Sequence, residues 1–201
     1  MHPPVTLPGT RSEPREPLAL VAEWYEAAVA AGLPEPHAMA LATASAAGRP
    51  SVRIVLLKGL DERGATFFTN YGSRKGRELA ENPRAAATLY WQPLHRAVRL
   101  EGPVELLGAE ESDAYFASRP RGARLGAWAS RQGAVLTDDL AARVRELGER
   151  FGDDIPRPEW WGGYRLAPDA VELWEGRPDR LHHRVHYVRD GDAWRSERLS
   201  P

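Results

Sequence analysis

Cations cluster in this sequence at points where a helix starts or a strand stops, and such clusters can bind anions. In Ser73-Arg74-Lys75-Gly76-Arg77, basic side chains crowd the first turn after a residue able to cap a helix. The positive end of the helix dipole disfavours cations there, so the arrangement suits an anion. Free N–H groups at a helix start already form a phosphate site, which charge-assisted hydrogen bonds would strengthen. The same side chains also fit a solvated surface, and both readings stay open. Arg53-Ile54-Val55-Leu56-Leu57-Lys58 sets a basic residue at each end of an apolar run. Strict alternation sends Arg53 and Lys58 to opposite faces, so either a bulge reorients one or each serves a different pocket. A strand-end cation turned to water is the third option.

Two further groupings could act on a substrate. Tyr115 and Arg119 are four apart on an expected helix and share a face, where a phenol and a guanidinium could grip one phosphate; surface packing gives the same spacing. In Arg180-Leu181-His182-His183-Arg184, an extended backbone puts Arg180, His182 and Arg184 on one face. That trio could hold an anion and handle a proton near neutral pH, or could be an outward-facing basic edge. Trp160, Trp161 and Trp174 are residues that more often fill a core or interface than flank a cofactor.

Composition narrows the chemistry. Lys and Arg number 27 against 28 Asp and Glu, so no global field draws the chain to nucleic acid or an acidic membrane, and any anion site is local. The chain has no cysteine, which removes thiolate nucleophiles, iron–sulfur clusters and cysteine zinc sites; redox chemistry would need an organic cofactor. No metal site is expected. The only lysines are Lys58 and Lys75, both inside the clusters above. No stretch is long and apolar enough to span a bilayer, and the start lacks the apolar region of a signal peptide, so the expected location is cytoplasmic.

The elements that must position these residues follow from periodicity. Residues 1–16, with Pro3, Pro4, Pro8 and Pro14, read as a flexible arm, and 17–201 as one domain. Val21, Trp24, Tyr25, Ala28 and Val29 predict an amphipathic helix from Pro17 to Leu33. Strands are predicted over 37–46, 51–60 and 65–70, joined as antiparallel hairpins by short Gly-bearing connections. A short helix capped by Ser73 runs to Glu81, and strands follow over 85–92 and 94–107. Helices at 110–118 and 137–151 precede β-like runs from Gly163 to the end, with a last turn at Asp190-Gly191-Asp192. Strands, then helices, then strands argue for an α+β antiparallel barrel with a helical insertion. No GxGxxG follows a strand, which disfavours a Rossmann site.

Taken in order, RIVLLK (Arg53 to Lys58), FFTN (Phe67 to Asn70), GSRK (Gly72 to Lys75), SRPRGARLGAW (Ser118 to Trp128), WGGY (Trp161 to Tyr164) and RLHHR (Arg180 to Arg184), with the closing ERLSP, resemble the pyridoxamine 5'-phosphate oxidase family over nearly the whole chain. The resemblance implies an FMN-binding split barrel with peripheral helices, working as a homodimer whose flavin sites are built by both subunits. It further implies that Arg53, Ile54, Val55, Leu56, Phe68, Thr69, Arg74, Lys75, Gln132, Trp174 and Arg184 contact FMN. Lys58, Tyr115 and Arg119 are expected to hold the phosphate of a B6 vitamer, with Arg180 and His182 as catalytic residues over its reactive carbon. Dioxygen would be the acceptor and peroxide a product.

The chain departs from the family pattern at Ala97, where a flavin-contacting Gln is usual, at Ala123 and Gly133, where Ser is usual, and at His183, where Asp is usual. A lost hydrogen bond to a charged group costs roughly 1.5–3 kcal/mol, which lowers affinity without abolishing function. The alternatives are a flavin oxidase of the phenazine-biosynthesis type and a non-catalytic flavin or pyridoxal phosphate binder.

Overall fold

In the computed structural model, residues 16–201 are described, so the arm expected over 1–16 lies, except for Glu16, outside the described residues. Helix α1 (Pro17–Ala30) opens on a proline whose fixed φ suits the first helical position, and Gly32, at φ +67°, turns the chain out of it. Its buried face, Leu18, Leu20, Val21, Trp24 and Ala28, packs over strands β3 (Gly59–Asp61) and β8 (Ala170–Glu175).

The remaining strands are β1 (Ala38–Ala44), β2 (Pro50–Leu56), β4 (Gly64–Asn70), β5 (Arg84–Trp91), β6 (Arg96–Leu106), β7 (Trp161–Leu166), β9 (His183–Asp190) and β10 (Ala193–Arg198), all paired antiparallel. One path runs β10-β9-β8-β6-β5-β1-β2, and a second joins β3, β4 and β7 to the far end of β6. The eleven-residue β6 therefore belongs to both sheets, pairing with β8 through Arg96–Glu101 and with β7 through Val104–Leu106. This is a split barrel, as the sequence implies. Alternation fills its interior: Met39 and Leu41, Leu89 and Trp91, Val98 and Leu100, and Val171 and Leu173 point inward with Phe67 and Leu166.

The expected strand over 51–60 is in fact two. It stops at Leu56; the Leu57 N–H still donates to His37 O, whereas the Lys58 N–H donates to Thr66 O, so the chain changes sheets between them. Arg53 and Lys58 are thus freed from one strand's alternation.

The insertion holds three helices where two were expected: α3 (Ala109–Ser118), α4 (Arg121–Ala129) and α5 (Leu140–Phe151). Helix α4 contains Gly122 and Gly126, which lower helix propensity and hide it from a local reading. Tertiary burial of Leu125, Ala127 and Ala129 overrides that preference; a second core of Phe116, Leu125, Ile155 and Trp161 forms around them. Helix α5 starts at Leu140, because the Asp139 side chain accepts from the N–H groups of Ala141 and Ala142.

Candidate functional site

Where β4 ends, the chain turns into helix α2 (Arg74–Glu81), capped by Ser73, whose Oγ accepts from the Gly76 N–H. A Cβ on Gly76 would lie 2.1 Å from the Tyr71 carbonyl oxygen, so only glycine lets the helix start this close to the preceding turn. That seating buries Lys75. Its Nζ donates to Thr69 Oγ1 (2.8 Å), Gln132 Oε1 (3.2 Å) and Ser73 Oγ (3.3 Å), and to no carboxylate among the described residues. Burial, then the nearby Arg53 charge, lowers its pKa to about 8.

Lys75 borders a cavity of about 450 Å³ between β2, the end of β4 and the insertion helices. Ile54, Val55, Leu56 and Lys58 form one side, and Phe68, Thr69, Lys75 and Gln132 another. Helix α4 closes the space with a small-residue wall of Ala123, Gly126 and Ala127. Ala123 and Gly126 thus have a spatial reason: bulkier side chains would narrow the cavity. Among the described residues no Asp or Glu lines it, although Lys58, Lys75 and Arg119 all do.

Tyr115 and Arg119 come together as the helical spacing suggests. The Tyr115 ring stacks on Phe68 at 3.9 Å between centroids, and both lie nearly parallel to Trp161. The Arg119 guanidinium sits 4.6 Å from the Trp161 ring centroid, and its Nη1 is buried with no hydrogen-bond partner among the described residues. Burial lowers the Arg119 pKa. A buried guanidinium nitrogen without an acceptor is costly, and the Arg119 side chain that carries it also lines the cavity. Trp161, assigned to core or interface from sequence, is part of this wall. The signal lay in the glycines after it: a Cβ at Gly162 would meet the Tyr71 hydroxyl and one at Gly163 the Phe68 ring, so close packing is built into WGGY.

Other expected residues lie apart from this cavity in the single chain. Arg53 turns toward Leu41 O, Thr43 Oγ1, Ser51 Oγ and Glu78, and Arg74 pairs with Glu78 through Nε at 2.8 Å. Trp174 and Arg184 are cross-strand partners on β8 and β9, with Ala97 next to Trp174 on β6 and Tyr90 beyond it on β5. His182 packs on Trp174 at 4.7 Å, its Nδ1 accepting from the Arg177 N–H, while Arg184 pairs with Glu172. The expectation of an extended backbone from Arg180 to Arg184 is corrected. Pro178–Arg180 is a 3-10 turn in which Asp179 and Arg180 have φ of 57° and 61°, and the strand begins only at His183. The proline starts a turn and removes a ladder donor, so Arg180 is on an exposed bend rather than a strand face.

Comparisons with known proteins identify the family and the fold. A family model described as pyridoxamine 5'-phosphate oxidase covers residues 25–156, and one described as the pyridoxine 5'-phosphate oxidase C-terminal dimerisation region covers 161–201. The chain belongs to the pyridoxamine 5'-phosphate oxidase family. Within it, the pyridoxine/pyridoxamine 5'-phosphate oxidase of Burkholderia orbicola (strain MC0-3) is 57% identical over 191 residues, covering 92% of this chain and 89% of the relative. The protein of that name from Bordetella pertussis (strain Tohama I) is 57% identical over 187 residues, with the same coverage. Among solved structures, PhzG from Burkholderia lata 383, in complex with tetrahydrophenazine-1-carboxylic acid, superposes with a TM-score of 0.90 at 37% identity, covering 98% of both chains. A pyridoxamine 5'-phosphate oxidase-related, FMN binding protein of Nostoc punctiforme shares the fold, with a TM-score of 0.77 at 20% identity over 96% of this chain and 100% of that one.

Proposed function

We propose that this family member is an FMN-dependent oxidase that converts pyridoxamine 5'-phosphate, pyridoxine 5'-phosphate or both to pyridoxal 5'-phosphate as a homodimer. The carrying observation is the cavity lined by Lys58, Lys75 and Arg119 with no carboxylate among the described residues, since a phosphorylated cofactor and a phosphorylated substrate would together supply negative charge there. The 57% identity to relatives named for this activity supports the same reading.

The residues divide into two phosphate grips. Lys75, Thr69 and Gln132, already joined by hydrogen bonds at the start of α2, suit the FMN phosphate and its neighbourhood, with Arg74 at the same helix start. Lys58, Tyr115 and Arg119 suit the substrate phosphate, and Tyr115 and Trp161 give its ring a flat wall. When bound, FMN supplies a hydride acceptor that dioxygen reoxidises, with peroxide released. The protein's own contribution is orientation and proton handling. Arg180 and His182, with Trp174 and Arg184, complete the site from the second subunit, where the His182 imidazole takes up or releases the proton of the amine or alcohol.

Two features support the dimer: the match of residues 161–201 to a dimerisation region, and the uncovered apolar side chains Val52 (69%), Ile54 (64%) and Leu56 (38%) on the outer face of β2. We propose that a second copy lies on that face with its β8–β9 groups at the cavity. Among the described residues no helix is long and apolar enough to cross a membrane, in keeping with a cytoplasmic setting for this chemistry.

The likeness to PhzG favours a second reading, oxidation of a reduced tricyclic carboxylic acid. Oxygen uptake and peroxide release by the FMN-loaded protein separate the readings. Turnover of pyridoxamine or pyridoxine 5'-phosphate, and none of the unphosphorylated vitamers, is expected. Faster turnover of a tetrahydrophenazine carboxylate would overturn the assignment, and bound FMN without turnover of any of these would make the protein a binder.

A further inference from the structure

Helix α2 carries a carboxylate that the proposed chemistry does not use. Glu78 is buried one turn beyond Arg74, with 6% of its surface exposed. Its Oε2 accepts from Thr43 Oγ1 (2.5 Å), Ser51 Oγ (2.6 Å) and Arg53 Nη2 (3.3 Å), and its Oε1 from Arg74 Nε (2.8 Å). The buried anion thus ties strands β1 and β2 to two cations beside Lys75. Near a phosphate site its charge alone would be a liability, so its place needs another reason.

The division of hydrogen bonds supplies one. Glu78 engages Arg74 only through Nε, and the terminal nitrogens of Arg74 donate to no described residue, the side chain being 62% exposed. A guanidinium held by Nε keeps its terminal nitrogens free for a second anion. Arg53, by contrast, has both terminal nitrogens engaged, by Leu41 O, Thr43, Ser51 and Glu78, and backs the arrangement. We propose that Glu78 is a positioning residue for the cofactor phosphate, gripping Arg74 by Nε so that its terminal nitrogens stay at the start of α2, next to Lys75. The inference rests on the FMN reading above and adds a residue to it.

A double-mutant cycle tests it, with FMN dissociation constants measured by quenching of flavin fluorescence. Glu78→Gln is expected to weaken FMN about tenfold and Arg74→Ala by a similar factor. The double variant should be no weaker than Arg74→Ala alone, because Glu78 acts through Arg74. An unchanged or tighter constant in Glu78→Gln, the result of simple charge removal, would overturn the inference, as would losses that multiply. Should Glu78→Gln fail to fold, Glu78→Asp keeps the charge but draws it back from Arg74. It is expected to weaken FMN only when Arg74 is present, and wild-type affinity in that variant would equally overturn the inference. Wild-type protein that takes up no FMN refutes the proposed function and this inference together, whereas wild-type binding with an unaffected Glu78→Gln refutes the inference alone.

Discussion

Titrating Lys75 should switch cofactor affinity across a narrow pH range. Burial brings this lysine from the ordinary 10.5 to about 8 in the free protein, a difference equivalent to roughly 3 kcal/mol held against its charged form. A phosphate beside Nζ restores a counter-charge and raises the pKa again, so FMN binds the ammonium form. At pH 7 about nine in ten free molecules carry that charge, and at pH 9 about one in ten, so FMN should bind about tenfold more weakly at pH 9. The phosphate itself is essentially dianionic over this range and adds little slope. Fluorescence titrations at fixed ionic strength between pH 7 and 9 read the effect. Lys75→Met, of similar length and apolar, should lose about tenfold to a hundredfold at pH 7 and show almost no pH dependence. Wild-type affinity that is flat or rises toward pH 9, or an equal slope in Lys75→Met, would refute the reasoning.

Arg119→Ala should raise the KM for the phosphorylated substrate about tenfold or more while the FMN dissociation constant stays within about twofold, read by steady-state oxygen uptake and flavin titration. Gly76→Ala places a Cβ 2.1 Å from the Tyr71 carbonyl oxygen, so α2 must shift; a loss of about 3 kcal/mol or more in urea unfolding is expected, with loss of flavin uptake. Against the cost of burial, hydrogen bonds from Ser51, Thr43, Arg74 and Arg53 pull the Glu78 pKa down to about 2. A depressed carboxylate stabilises fully above its ordinary pKa and loses that contribution as pH falls toward 2, so wild-type protein should lose more stability than Glu78→Gln between pH 5 and pH 2.5, values chosen for the assay. The slope for Lys75 has the same sign, although here the buried charge is a penalty that deprotonation removes: a depressed lysine makes the FMN-free protein more stable as pH rises from about 8 to 10.5, a trend absent in Lys75→Met unfolding curves.

Much of the scaffold was legible because its signals are local. Ser73 caps α2 as its side chain allows, the Asp190-Gly191 turn closes the last hairpin with Gly191 at φ +61°, and the helical spacing of Val21, Trp24 and Ala28 marks the face that α1 buries. The cations at Lys58, Lys75 and Arg119 could be singled out by type and spacing, and they do line one cavity. Helix α4 was not legible, because Gly122 and Gly126 argue against a helix locally and only packing against α5 and Trp161 reverses that. Nor could Glu78 be seen as the partner of Thr43, which lies 35 residues away and meets it only once β1 and α2 are packed. Arg180 is not extended as its place in RLHHR suggests, because Pro178-Asp179 just before it favours a turn. The β8–β9 groups do not line the cavity of Lys58, Lys75 and Arg119 in one chain, and the role proposed for them depends on a second copy that no local pattern describes.

Crystals of the protein grown with FMN and pyridoxal 5'-phosphate would probe the two phosphate grips most directly. The expected density places one phosphate against Lys75 and Arg74 and the other against Lys58, Tyr115 and Arg119, with Arg180 and His182 of a second copy over the vitamer ring. Both phosphates on one set of cations, or a vitamer bound outside the cavity lined by Arg119, would contradict the account.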